Sequence, residues 1–202
     1  MPSKRSIELL LVLCLVTWLG ACSRVQLQWD FPPWVILPEH KDPALLDAYR
    51  HALLALREGD RELATLRLQQ IIDDKPHFVG PRINLGILHM RHGDYRAAEK
   101  AFRGALEVQP DNAIAHNQLG LLHRYRGEFE QAEAAYLAAL AARPDYGLAH
   151  RNLGVLYDLY LQQADKALPH YQRSRELAGE TDKELTIWIA EVQQRINTEK
   201  TQ

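Results

Sequence analysis

The residues best suited to chemistry in this chain are its nine histidines, because imidazole ligates metals and exchanges protons near neutral pH. His116 and His150 stand 34 residues apart, as do His89 and His123, so a repeated structural unit would bring each pair onto neighbouring copies. One reading is a histidine-only metal site at His116 and His150, serving a metal-dependent hydrolase; the other is partly buried packing. His89-Met90-Arg91-His92 has a helical spacing of three with no acidic ligand beside it, and Asp73 and Asp74 beside Lys75 read as solvated charge. Beyond the first few residues the serines are Ser23 and Ser174, neither in a nucleophile context. No H-E-x-x-H, G-x-S-x-G or phosphate-loop spacing occurs. No catalytic constellation emerges, and no cofactor is implied.

The elements that would position these groups are bounded by composition. With 202 residues, 47% hydrophobic and 25% charged, the chain reads as one medium domain or a domain with an appendage, neither disordered nor a multi-span membrane protein. A net charge of −2 disfavours a nucleic-acid partner, which would call for phosphate neutralisation. Two cysteines exclude a disulfide framework or a cysteine-rich metal site.

Lys4 and Arg5 precede an apolar run of 13 residues, Leu9 to Ala21, broken only by Thr17 and Gly20. That length falls short of the roughly 20 residues a helix needs to span a bilayer and suits the core of an export signal. The run closes as Leu19-Gly20-Ala21-Cys22, which resembles the lipobox of bacterial lipoproteins. The resemblance implies a signal peptide over 1–21, cleavage before Cys22 and acylation of its thiol, palmitate included. An ordinary export signal, or a buried helix that happens to end in cysteine, is the plainer alternative. Loss of Lys4, Arg5 and Glu8 takes 24 basic and 26 acidic residues to 22 and 25, a mature charge of −3. Two or three acyl chains hold a protein at a membrane firmly. Ser23 rather than aspartate after the cysteine implies, by likeness to enterobacterial sorting, the outer membrane of a Gram-negative envelope with the domain facing the periplasm. Residues 22–42 then form the lipidated cysteine and a linker in which Trp29, Phe31, Trp34 and Val35 to Leu37 alternate with Pro32, Pro33 and Pro38. Prolines at this density favour extended backbone. So apolar a segment is expected to pack on the folded domain or lie at the membrane interface rather than act as a solvated tether.

From residue 45 the chain repeats. Gly59, Gly93 and Gly127 share a 34-residue period with Pro76, Pro110 and Pro144, with Ala64, Ala98 and Ala132, and with Leu85-Gly86, Leu119-Gly120 and Leu153-Gly154. A fixed period marks a solenoid whose units bury their apolar faces only by stacking. Each unit reads as two amphipathic helices joined at the Gly93-Asp94-Tyr95 type of turn and stopped by a proline. Glycine in mid-helix costs about 1 kcal/mol relative to alanine, so Gly86, Gly120 and Gly154 are expected where a paired helix approaches closely, with Ala98, Ala132 and Ala167 opposite. Gly59, Gly93 and Gly127 are expected past helix ends, in left-handed backbone. Thr181-Asp182-Lys183-Glu184 has the form of a capping box, ahead of an apolar stripe through Leu185, Trp188, Ile189, Val192 and Ile196 suited to closing the array, with partner binding through Trp188 as the alternative role.

Asn84-Leu85-Gly86, Gly93-Asp94-Tyr95, Ala98, Phe102, Ala105 and Pro110 resemble the tetratricopeptide repeat pattern. The resemblance implies an all-α, right-handed superhelical solenoid over 43–198, with repeats at 45–78, 79–112, 113–146 and 147–181 and a capping helix at 182–197. The first repeat departs from the pattern at His51-Ala52; the fourth carries an extra residue between Leu159 and Asp165 and lacks the turn glycine. The family lines a concave groove with its first helices. The positions that match are Tyr49, Leu53 and Leu56, then Ile83, Ile87 and Met90, then Asn117, Leu121 and Arg124, then Arg151, Val155 and Asp158, with Asn84, Gln118 and Asn152 as an amide column beside them. The N-terminal half of that groove is apolar and the C-terminal half polar, and several of the aliphatics have the alternative role of packing between helices. The family's carboxylate clamp is present only in part, since Tyr49 and Ile83 stand where its first lysine would be.

The resulting expectation is a non-enzymatic, lipid-anchored scaffold that holds a protein or peptide segment in its groove and touches the membrane through its N-terminal lipid. In architecture it resembles type IV pilus pilotins, which serve secretins, and the tetratricopeptide proteins that accompany TonB/ExbB systems. An adaptor for peptidoglycan enzymes fits equally, and the histidine metalloenzyme is the remaining alternative.

Overall fold

The computed structural model describes residues 42–179 and 182–199; Cys22, the apolar N-terminal run, the proline-rich segment and Thr181 lie outside them. The described chain is helical throughout, in antiparallel pairs. The first pair is α1 (Pro43–Glu58) and α2 (Arg61–Asp74), and the second is α3 (Gly80–Arg91) and α4 (Tyr95–Val108). The third is α5 (Ala113–Tyr125) and α6 (Phe129–Ala142). In the fourth, α7 (Gly147–Val155) runs on through a wide turn at Leu156–Tyr160 before α8 (Ala164–Leu177). Helix α9 (Lys183–Glu199) closes the array against α8. No described helix is long and apolar enough to cross a membrane.

The helices start and stop for local reasons. Asp42, Asp60, Asp94 and Asn112 each accept a backbone N–H in the first turn of α1, α2, α4 and α5. Such caps contribute about 1 kcal/mol each. At α9 the cap is Asp182, whose carboxylate accepts the Leu185 N–H at 3.1 Å; the expected capping-box glutamate, Glu184, pairs instead with Arg151. Gly59, Gly93 and Gly127 have φ between 75° and 78°, the left-handed backbone that ends each first helix. The fourth repeat lacks that glycine, and Gln162 takes the role at φ 54°. Its extra residue is absorbed upstream: the Leu161 N–H donates to the Leu156 carbonyl, an i to i+5 bond that widens the turn and restores the register of α8.

Packing follows the period, with one correction. A Cβ at Gly86 would lie 2.4 Å from the Phe102 ring, at Gly120 2.5 Å from Tyr136, and at Gly154 2.6 Å from Tyr171. The glycines therefore receive an aromatic ring from the paired helix, not the expected alanines. Ala98, Ala132 and Ala167 are buried too, but the close approach belongs to Phe102, Tyr136 and Tyr171, three of the most enclosed side chains in the protein. First helices also meet one another: α3 touches α5 and α5 touches α7, while α2, α4 and α6 make no comparable contact among themselves. The first helices thus converge on the inner side of the curve, and the second helices fan out on the outer side.

Candidate functional site

The inner face is carried by α1, α3, α5 and α7, and at its N-terminal end it is closed. Tyr49, Leu53, Leu56, Ile83, Ile87 and Met90 are all buried, Leu53 and Ile87 at 2% exposure each. Ile83, Ile87 and Met90 belong to one core cluster with Phe102, Leu119 and Leu122. The apolar half of the expected groove therefore presents no open side chain. A charge placed at Leu53 or Ile87 would enter a packed interior and act on folding.

The amide column is also engaged. Asn84, fully buried, donates from Nδ2 to the Tyr49 hydroxyl, and Asn152 donates from Nδ2 to Asn117 Oδ1 at 3.0 Å. In both cases the amide reaches back to the equivalent inner-face position of the preceding repeat. Gln118 has aliphatic Ile83 at that position, and its Oε1 is buried with no hydrogen-bond partner. Tyr49 also packs edge-on against Phe78 at 5.5 Å, and burial pushes its hydroxyl far above the usual tyrosine range. Asn84 and Tyr49 thus act as a buried brace between repeats.

The C-terminal half is polar and more open. Gln118, Leu121, Arg124, Arg151 and Asn152 are half-buried there, whereas Asn117, Val155 and Asp158 are buried. The Arg124 guanidinium stands 5.6 Å from the Tyr125 ring and 5.4 Å from that of Tyr160. The Arg151 guanidinium lies 4.9 Å from the Trp188 ring and pairs with Asp182 and Glu184, so it ties the fourth repeat to α9. The Asp158 carboxylate receives Arg195 from α9 and the Tyr171 hydroxyl at 3.2 Å. Burial, then the Asp158 charge, raise the Tyr171 hydroxyl well above its ordinary range, so it stays protonated and donates. Nothing periodic marks Arg195, and the sequence reading passed over it.

His116, His123, His150 and His170 act as structural ties. His116 Nε2 donates to the Pro110 carbonyl at 2.8 Å, and His150 Nε2 donates to that of Pro144 at 3.0 Å. Arg82, at the matching position of the second repeat, donates to Pro76 O at 2.6 Å. One position in three repeats thus holds the loop carbonyl before its own helix. His123 Nδ1 meets Glu128 at 2.6 Å, and His89 Nδ1 stands 3.7 Å from Asp94. His116 and His150 do not form a pair: with Nε2 donating, His150 Nδ1 accepts from Nδ1 of His170 at 2.9 Å. Burial, and then the neighbouring His150, lower His170 to about 4. Among the described residues, no group of three or more histidine, cysteine, aspartate or glutamate side chains is placed to hold a metal.

The tetratricopeptide repeat family model matches residues 83–124 and 117–182. No curated protein matches the chain significantly in sequence. Among solved structures, the thermophilic TPR protein TTC0263 of Thermus thermophilus is similar at 26% identity and a TM-score of 0.63, over 73% of this chain and 80% of that one. The Pseudomonas aeruginosa protein pilF is similar at 19% identity and a TM-score of 0.68, over 77% and 70%. The first TPR of Spaghetti (RPAP3), solved bound to the HSP90 peptide SRMEEVD, is similar at 21% identity and a TM-score of 0.53, over 57% and 90%. No catalytic family is indicated. The described helices build an all-α TPR superhelix, and across residues 83–182 the chain carries tetratricopeptide repeats.

Proposed function

We propose that the protein is a non-enzymatic scaffold that holds a segment of a partner protein on the inner face of its superhelix, anchored through a lipid on Cys22 at the periplasmic side of a Gram-negative outer membrane. The observation that carries the binding role is the half-open, polar stretch of inner face at Gln118, Leu121, Arg124, Arg151 and Asn152, held on rigid first helices. Peptide capture by a tetratricopeptide fold, as in the Spaghetti complex with its HSP90 peptide, supports it. The anchoring role is supported by Lys4-Arg5, the apolar run and Leu19-Gly20-Ala21-Cys22. The buried inner-face side chains, Tyr49 and Asn84 among them, are engaged in bracing and packing, a pattern suited to holding a shape.

Leu121→Glu tests the binding role, since Leu121 is only half-buried and its charge can reach water in the free protein. Leu121 also rests against the core of the second and third repeats, so the expected result is loss of a co-purifying partner with the helical fold retained at a lowered melting temperature. Leu66→Glu, on the outer helix α2 where Leu66 is 55% exposed, should retain the partner. Equal retention by both variants would reject the inner face as the binding surface.

A further inference from the structure

The wide turn of the fourth repeat, α8 and α9 border an open cavity of about 660 Å³ lined by Asp158, Tyr171, Trp188, Glu191, Arg195 and Glu199. Its charge is lopsided. Three carboxylates face one guanidinium, and neither Glu191 nor Glu199 has an ion pair among the described residues. Its floor is the Asp158 carboxylate, 8% exposed, and a carboxylate so enclosed requires a cation or strong donors. Tyr171 supplies one donor and Arg195 the cation. The two partners of this ion pair are unlike: the Arg195 side chain is 49% exposed and reaches in from the surface of α9. A rotation about its own bonds would withdraw it without moving the core.

The walls are suited to the same chemistry. Tyr171 and Trp188 stand 5.5 Å apart at 50°. The indole already takes one guanidinium, that of Arg151, at 4.9 Å. Arginine is weakly hydrated and planar, so it pairs with a carboxylate and lies against aromatic rings together, which a lysine ammonium does less well. Asp158 is also the last inner-face position of the fourth repeat, and Trp188, which lines the cavity, carries the inner-face Arg151 on its ring.

We infer that this cavity is a receptor for a guanidinium side chain, supplied by an arginine of the bound partner segment, and that Arg195 is an internal surrogate which the partner's arginine displaces. The inference rests on the inner face being the binding surface and names the chemistry read at its end. The exchange replaces one guanidinium on Asp158 by another, so no buried charge is left unpaired at the end of it. The incoming stem covers apolar ring surface, while Arg195 moves into water. The affinity of such a site is set by competition with Arg195.

The test uses the full-length protein in detergent and a defined probe, N-acetyl-arginine amide, followed through the Trp188 indole N–H resonance assigned with Trp188→Phe. Arg195→Ala should bind the probe at least tenfold more tightly than the wild type, and Asp158→Asn should lose it. The neutral citrulline analogue should not bind either protein. Should Arg195→Ala fail to fold, Arg195→Gln keeps a donor for Asp158 and carries the same expectation. Probe affinity unchanged by removal of Arg195, or citrulline binding as well as arginine, would overturn the inference. The titration needs no partner protein, so its failure is distinct from that of the groove reading. Partner loss in Leu121→Glu with no arginine binding would leave the groove and remove this site.

Discussion

Gly120→Ala is the sharpest test of how the repeats hold together, because the added atom has one identified obstacle. Its Cβ would lie 2.5 Å from Cδ1, 2.6 Å from Cε1 and 3.0 Å from Cγ of Tyr136. Carbon atoms in contact prefer about 3.5–4.0 Å, so the ring must retreat by roughly an ångström. It has little room, since Tyr136 is fully enclosed in a cluster with Ala132, Leu153 and Tyr157. Overpacking of this kind costs about 1–3 kcal/mol, and the better helix propensity of alanine returns about 1 kcal/mol. The net loss is therefore up to about 2 kcal/mol, read as a shift of the urea midpoint at constant slope. Tyr136→Ala removes the obstacle and by itself costs about 3–5 kcal/mol. In that background Gly120→Ala should change sign and stabilise by up to about 1 kcal/mol. Gly104→Ala in mid-helix α4 is the control: its Cβ meets only Arg82, at 3.8 Å or beyond, and it should stabilise by about 0.5–1 kcal/mol. A Gly120→Ala penalty that persists in the Tyr136→Ala background would refute the ring-into-glycine account.

Three further outcomes are expected. Gln162→Gly should raise stability in urea by about 0.5–1 kcal/mol, because a left-handed residue with a side chain costs roughly 1–2 kcal/mol and glycine's greater freedom in the unfolded chain offsets part of the gain. Acid should weaken the fold through His170: its folded value of about 4 lies below 6.5, so between those values the unfolded chain binds the extra proton and stability falls as pH drops, with no contribution above about pH 6.5. With solvent screening at this half-buried ring the loss amounts to roughly 1–2 kcal/mol by pH 4, and His170→Asn should flatten that slope in urea titrations; a slope unchanged by the substitution would contradict the assignment. Cys22→Ala should abolish incorporation of radiolabelled palmitate and leave the precursor uncleaved, and label entering the variant would end the lipoprotein proposal.

Much of the fold was legible because a solenoid writes its architecture as a period. The 34-residue recurrence of Gly93 and Gly127 located turns that do adopt φ near 76°, and Pro76, Pro110 and Pro144 lie two residues beyond the ends of α2, α4 and α6. A period says which positions are equivalent but not what faces them. It could not show that Gly120 receives Tyr136 rather than Ala132, a fact of interhelical distance. The fourth repeat showed its extra residue as a break in the spacing, but the i to i+5 turn that absorbs it is a backbone adjustment with no residue signature. The apolar inner-face positions looked like a groove because their side chains are hydrophobic, and the same property made them core. Asn84 and Asn152 were recognised as a column, yet their reach back to Tyr49 and Asn117 depends on how closely the repeats stack. Arg195 was missed because it lies outside the repeats, on a helix read only for its apolar stripe.

The claim that a partner segment lies on the inner face is tested most directly by site-specific photocrosslinking in intact cells. A photoreactive residue replaces Gln118, Leu121 or Asn152 on the inner helices, or Leu66 or Leu137 on the exposed outer helices α2 and α6. Adducts to one partner from the three inner positions, mapping to a single continuous segment and lost from Leu66 and Leu137, are the predicted result. Adducts formed as efficiently from Leu66 and Leu137, or scattered over the partner without a common segment, would contradict it.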